Sequence, residues 1–152
     1  MKVYIERLRD DIELPEYKNI GDAGMDVRAA IDTIIYPGET KVVPVGLKVA
    51  IPIGYEIQVR PRSGLSYKTP LRIANSPGTI DSGYRDEVGI IITNTSPRIE
   101  ESLLEDAYLI NKGDRIAQLV LKQVETIEWE EVDDITTVEG DRGGGFGSTG
   151  TK

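Results

Sequence analysis

Cysteine and histidine are both missing from the 152 residues of this chain. Without cysteine there is no disulfide, no thiol chemistry and no cysteine-based metal site. Without histidine, a histidine-based triad and the usual zinc ligand sets are excluded as well. Any proton transfer therefore falls to Asp, Glu, Lys or Tyr. Long hydrophobic runs are lacking too: none approaches the roughly 20 apolar residues of a membrane helix. The opening MKVYIERLRDD turns charged at once, so no secretory signal is visible and cytoplasmic residence, or the interior of a host cell, is the expectation. Basic residues are the minority, 18 Lys and Arg against 26 Asp and Glu, for a net charge of −8. That balance argues against broad nucleic-acid binding, which relies on a positive field, and no membrane partner is expected either. A local site for a small anion stays open, since a few arginines and a divalent cation suffice to build one. Phenylalanine occurs once, as Phe146, in the glycine-rich ending DRGGGFGSTGTK. Either that ending is a disordered terminus with a stray aromatic, or the ring has a partner elsewhere.

What is present fits a single domain long enough to bury a substantial core. Sixteen glycines and eight prolines punctuate short β-branched runs. Val43, Val45, Leu47, Val49 and Ile51 alternate strictly, as do Tyr55, Ile57 and Val59, the mark of strands with one buried face. The runs VGIIIT (88–93) and RIAQLVL (115–121) are apolar at successive positions, as expected of strands covered on both sides. YPGE (36–39), IPIG (51–54) and NKGD (111–114) read as turns. Many short strands at this spacing predict an all-β fold, a sandwich, jelly roll or barrel. One segment departs from the pattern. SPRIEESLLEDAYL (96–109) has Ser96 as an N-cap and Pro97 at the first helical position, and Ile99, Leu103 and Ala107 recur at helical spacing. A short helix is predicted there.

Four clusters carry chemically useful side chains, and each also has a plain structural reading. GDAGMDVRAA (21–30) presents Asp22 and Asp26 around two glycines, as a solvated turn also would. RPRSGLSYK (60–68) follows the Tyr55–Val59 strand with Arg62, a small hydroxyl at Ser63 and open backbone at Gly64. A short helical turn there aims free N–H groups and Arg62 at a phosphate; a basic surface loop is the alternative. ANSPGTIDSGYRDE (74–87) offers the two-sided amide of Asn75, the Asp81 carboxylate as an acceptor for a water proton, and the flat ring of Tyr84. An aspartate in a turn is, taken alone, more often structural. The ending carries Arg142, Phe146, Ser148 and Thr149 on a glycine-rich backbone, but its lysine comes last, at Lys152, so it is no phosphate-binding loop of the Walker type.

Taken in order, these clusters resemble the five motifs of the homotrimeric dUTPase family. DAGMDVRAA is similar to the first motif, PRSGLSYK to the second, GTIDSGYRDEVG to the third, KGDRIAQLVL (112–121) to the fourth and RGGGFGSTG (142–150) to the fifth. The resemblance runs from about residue 21 to the end. It implies a jelly-roll-like β-barrel with at most one or two short helices, formed by residues 1–139, and a flexible arm from 140 to 152 that closes over an active site. It implies a homotrimer whose three sites are each built from all three chains, hydrolysing dUTP to dUMP and pyrophosphate with Mg²⁺ held mainly by the triphosphate. Asp81 would activate the attacking water, and Asp26 would hold the metal through water. Arg62, Ser63, Gly64 and Gln118 would meet the phosphates. Asn75 and the backbone of Gly78, Thr79, Ile80 and Gly89 would read the base and sugar, with Tyr84 against the deoxyribose. In the arm, Phe146 would stack on the uracil, and Arg142, Gly147, Ser148 and Thr149 would close around the nucleotide. The sequence departs from the commonest pattern at Gly83 and Asp86, at Met25 and Val27, and in a longer stretch over residues 95–108. Deamination of dCTP on the same scaffold, a non-catalytic nucleotide sensor and a β-rich structural module are the competing readings.

Overall fold

In a computed structural model, residues 1–140 are described, and strands account for nearly all of their regular structure. Eleven strands follow in chain order: β1 (Tyr4–Arg7), β2 (Met25–Arg28), β3 (Thr33–Ile35), β4 (Thr40–Pro44), β5 (Leu47–Ala50), β6 (Tyr55–Arg60), β7 (Leu71–Ile73), β8 (Gly78–Ile80), β9 (Gly89–Asn94), β10 (Tyr108–Ile110) and β11 (Arg115–Gln123). One α-helix, α1 (Ser63–Lys68), interrupts them after β6. The strands pair in four sets, in the orders β1-β5, β10-β3, β2-β11-β6-β8 and β4-β9-β7. Every pairing is antiparallel. The all-β, jelly-roll-like expectation holds, although these sheets are not hydrogen-bonded into one closed barrel. They enclose a common core of Val27, Ile35, Val43, Leu47, Leu71, Ile90, Ile92, Ile110 and Ile116, with their neighbours. No helix among the described residues is long and apolar enough to cross a membrane.

The alternating run from Val43 to Ile51 buries all five of its apolar side chains, as its period requires. It is nevertheless two strands rather than one. Gly46 breaks it at φ +71°, a conformation that disfavours any side chain, and the chain turns from β4 into β5. The predicted turns at 36–39, 51–54 and 111–114 form, with Gly38, Gly54 and Gly113 all at positive φ. β11 is covered on both sides, with Ile116, Ala117, Leu119 and Val120 all buried. β9 is not: Ile90, Ile92 and Asn94 are buried, while Gly89, Ile91 and Thr93 stay half-exposed in the single chain.

The helix predicted over 96–109 does not form. The stretch has a single 3₁₀ turn, Glu100–Ser102, and from Tyr108 it is already strand β10. Its apolar stripe is poorly covered, with Ile99 facing solvent and Leu103 and Ala107 only half-buried, and so short a helix is marginal without a packed face. Both ends are also fixed by Asn94, a fully buried polar residue. Its amide nitrogen donates to the carbonyls of Ile35 and Asp106, and its amide oxygen accepts from the Ser96 N–H. These bonds tie the excursion down as a loop. After β11 the chain runs on exposed through residues 124–140, with only a 3₁₀ turn at Ile135–Thr137.

Candidate functional site

Three of the sequence clusters converge on the sheet β2-β11-β6-β8. A bulge in β11 between Arg115 and Ala117 shifts its register against β2, so that Gln118 lies directly across from Asp26, while on its other side Gln118 faces Arg60 of β6. One residue of slip would have put Gln118 opposite another position, which is the usual purpose of a bulge beside a site. Past Arg60 the chain turns through Pro61 and Arg62 into α1. Arg62 is the N-cap of that helix, with extended backbone and no side-chain cap. Its guanidinium is therefore free to reach back to β2.

There Arg62 Nε donates to Asp26 Oδ1 at 2.8 Å, and Arg115 Nη1 donates to Asp26 Oδ2 at 3.1 Å. Arg62 Nη1 also donates to the carbonyl of Arg115 at 3.1 Å, closing the triangle. Gln118 Nε2 donates to the carbonyl of Pro61 at 2.9 Å. All of these groups are partly buried, so the attraction is stronger than between fully solvated charges. Ser63 and Gly64 sit exposed in the first turn of α1, where backbone N–H groups have no intrahelical acceptor. A Cβ on Gly64 would meet nothing within 4 Å, so its backbone is open to a ligand. Beside this cluster lies a concavity of about 330 Å³ that brings together Arg28, Arg62 and Arg115. Asp114 lines it too, Arg28 pairs with Glu13, and Arg62 and Arg115 share Asp26, so the three guanidinium groups are gathered here by carboxylates.

The third cluster forms a separate concavity of about 180 Å³, lined by Val59, Asn75, Gly78, Thr79, Ile80, Tyr84, Val88, Gly89 and Ile91. Two features shape it. β8 runs antiparallel to β6, with Gly78 paired to Val59, so the strand edge presents backbone beside Asn75. The turn after β8 is closed by the Tyr84 N–H bonding to the carbonyl of Asp81 at 3.1 Å and by the Tyr84 hydroxyl donating to the carbonyl of Glu87 at 2.7 Å. The second bond fixes the ring at one wall of the hollow. Asp81, which follows Ile80 of that lining along the chain, is exposed. Among the described residues, no side-chain hydrogen bond or ion pair of the single chain joins this hollow to the Asp26 cluster, although both rest on one sheet. Arg142, Phe146, Gly147, Ser148 and Thr149 lie outside the described residues.

Arg115 and Glu87 are parts of this arrangement that sequence reasoning passes over. Arg115 stands inside the fourth motif but looks like an ordinary strand residue until the bulge is seen. For a divalent cation the donor chemistry is informative. Among the described residues, no group of three or more Asp, Glu, His or Cys is placed to hold a metal. Asp26 gives each oxygen to one arginine, yet a carboxylate has about four acceptor positions, so room for a water is left. That fits an ion such as Mg²⁺, which keeps several waters and is commonly held by phosphates plus one or two carboxylates.

The family model for dUTPase matches residues 10–150. A deoxyuridine 5'-triphosphate nucleotidohydrolase of Fusobacterium nucleatum is 48% identical, with 98% of each chain covered. One from Corynebacterium glutamicum is 42% identical, covering 97% of this chain and 94% of its own. Among solved structures, a mutant dUTPase of Staphylococcus bacteriophage 80alpha with dUpNHpp superposes with a TM-score of 0.86 at 32% identity, over 99% of both chains. A mutant dUTPase from phage phi11 of S. aureus, described for its coordination of a structural Mg(II) ion, gives 0.79 at 29% identity, over 89% of this chain and 99% of its own.

Proposed function

From the premise that this chain belongs to the dUTPase family and is a dUTP diphosphatase, we propose how its residues divide the hydrolysis. The observation that carries the reading is the meeting of Asp26, Arg62 and Gln118, from three separate motifs, beside the open first turn of α1.

A triphosphate brings about four negative charges, and the arginine-lined cluster is where the chain can offset them. Arg62 and the N–H groups of Ser63 and Gly64 hold the phosphate tail. Gln118 has one Nε2 hydrogen on Pro61 and a second left for the α-phosphate. Mg²⁺, when bound with the triphosphate, offsets charge on the leaving pyrophosphate. Asp26 accepts from its water shell.

The base and sugar occupy the hollow of the third motif. Uracil and cytosine share a shape, so only hydrogen bonds from the Asn75 amide and the backbone of Gly78, Thr79, Ile80 and Gly89 can separate them. The Tyr84 ring packs against the deoxyribose and leaves no space for a 2′-hydroxyl. Asp81 takes a proton from a water, whose oxygen bonds to the α-phosphorus. The bond from that phosphorus to the bridging oxygen breaks, and pyrophosphate leaves with the electron pair. A general base contributes typically ~10²–10⁴-fold, so most of the acceleration rests on positioning and electrostatics.

The site is shared between subunits of a homotrimer: one chain supplies the hollow with Asp81, and a neighbour supplies Asp26, Arg62 and Gln118. Two observations support this. Among the described residues, no side-chain hydrogen bond or ion pair joins the two halves within one chain. The stretch 124–140 exposes Val124, Ile127, Trp129, Val132, Ile135 and Val138, with Trp129 87% exposed. A run of large apolar side chains in water marks a surface that another protein covers. Residues 1–139 form the folded domain and 140–152 an arm that closes over bound nucleotide, with Phe146 on the uracil and Arg142, Gly147, Ser148 and Thr149 around the phosphates. In the cytoplasm, or within a host cell, the reaction would limit uracil incorporation into DNA and supply dUMP for thymidylate synthesis.

Incubating the purified protein with dUTP and dCTP separately, with Mg²⁺, tests the assignment. Pyrophosphate and dUMP from dUTP are expected. Ammonia from dCTP without pyrophosphate from dUTP would replace it with a deaminase.

A further inference from the structure

Gly24 lies just before β2 and faces β11, where the next pair in register is Met25 with Leu119. Its backbone is not in the left-handed region, unlike that of Gly21, Gly38 or Gly46, so the conformation itself accepts any residue. The requirement for glycine comes from a neighbour. A Cβ at position 24 would stand 2.4 Å from Gln118 Oε1, 3.3 Å from Gln118 Cδ and 3.4 Å from Val120 Cγ2. The first of these is far inside van der Waals contact, and the atom struck is the tip of a mobile side chain. A substitution here would therefore be relieved by moving the Gln118 carboxamide rather than by moving backbone.

The carboxamide is otherwise well determined. Gln118 Nε2 donates to the carbonyl of Pro61 at 2.9 Å, which turns Oε1 toward Gly24 and leaves the second Nε2 hydrogen for a ligand. The cross-strand pairs with Asp26 and Arg60 fix the Cα of Gln118 from both sides. The only remaining freedom is the side-chain rotamer, and the space above Gly24 selects it.

We propose that Gly24 is a positioning residue for the hydrolysis: by carrying no side chain it leaves the space in which the Gln118 carboxamide lies, and so fixes the rotamer from which Gln118 meets the α-phosphate. The proposal rests on the role given to Gln118 above. It also accounts for a glycine at a position where neither a turn nor positive φ demands one. Gly64, by comparison, has open space around it, and Gly46 combines positive φ with a clash against Ile12.

The test is a double-mutant cycle of Gly24→Ala and Gln118→Ala, read by kcat and KM for dUTP and by thermal melting. Losing a hydrogen bond to a charged phosphate oxygen should make Gln118→Ala slower by ~10–100-fold in kcat. Gly24→Ala should lose ~10-fold or more in kcat with KM within about twofold, and melt close to the parent. In the Gln118→Ala background, Gly24→Ala should cost no more than about twofold, because the group it displaces is gone. A purely structural glycine would cost the same in both backgrounds, and that result would overturn the inference while leaving Gln118 in its role. Parental activity of Gly24→Ala would overturn it equally. Parental activity of Gln118→Ala would instead remove the phosphate contact itself, and the inference with it. Should Gly24→Ala fail to fold, the double variant decides. A folded double variant supports a clash with Gln118, and an unfolded one overturns it.

Discussion

Asp26 gives both oxygens to arginines, and Gln118 beside it is tied to the carbonyl of Pro61. Asp81, on the other half of the site, is exposed and, among the described residues, its carboxylate has no side-chain partner. In the proposed mechanism the two aspartates thus do opposite work on one scaffold. The half proposed to hold the phosphates is wired by charge in advance, so its dipoles would need little rearrangement when a polyanion arrives. The half proposed to hold the base is shaped by backbone, by the edge of β8 and by a turn that Tyr84 staples to Glu87, and its carboxylate has its lone pairs open to water. A carboxylate paired like Asp26 would make a poor general base, and one as open as Asp81 would make a poor anchor for an arginine.

The largest effect that would sharpen this contrast is expected from Asp81→Asn. It should lower kcat by ~10²–10⁴-fold while leaving the affinity for a non-hydrolysable analogue such as dUpNHpp within a few-fold. Near-parental turnover would remove Asp81 from its role. Next comes Arg62→Ala, which strips one donor from the phosphate half and leaves Asp26 with Arg115 alone. A loss of ~10²-fold in kcat/KM is expected, with KM affected as well as kcat. If only thermal stability changed, the cluster would be structural rather than a phosphate site. The smallest effect is expected from Tyr84→Ala. It should cost little with dUTP but narrow the preference for dUTP over UTP by ~10-fold or more, measured as the ratio of the two kcat/KM values. An unchanged ratio would mean that another group reads the 2′ position.

Much of this arrangement was legible in the sequence, because β-strand period and turn residues are local signals. The alternation from Val43 to Ile51 names its buried side chains correctly even though Gly46 splits the run into two strands. The helical spacing of Ile99, Leu103 and Ala107 misled, since periodicity cannot tell whether a surface exists for that face to pack on. The two-sided covering expected of β9 misled in part, since its Ile91 face remains half-exposed in the single chain. Asp26, Arg62 and Gln118 could be singled out by type and by motif, but their meeting could not. It depends on the β11 bulge, which sets Gln118 across from Asp26, and one extra residue in a strand leaves no compositional trace. Arg115 passed for an ordinary strand residue, and Gly24 for a glycine of a polar turn, for the same reason. Their importance lies in what stands opposite them, not in their own neighbours along the chain.

In the proposed trimer the two halves of each site belong to different subunits. Co-expressing or co-refolding Asp81→Asn chains with Arg62→Ala chains tests it most directly, since each variant alone is impaired in one half only. In random trimers of an equal mixture, about one site in four pairs an intact Asp81 with an intact Arg62, so dUTPase activity should recover to about a quarter of the parental value. Activity that stays at the level of the separate variants would contradict the shared site and place both halves within one chain.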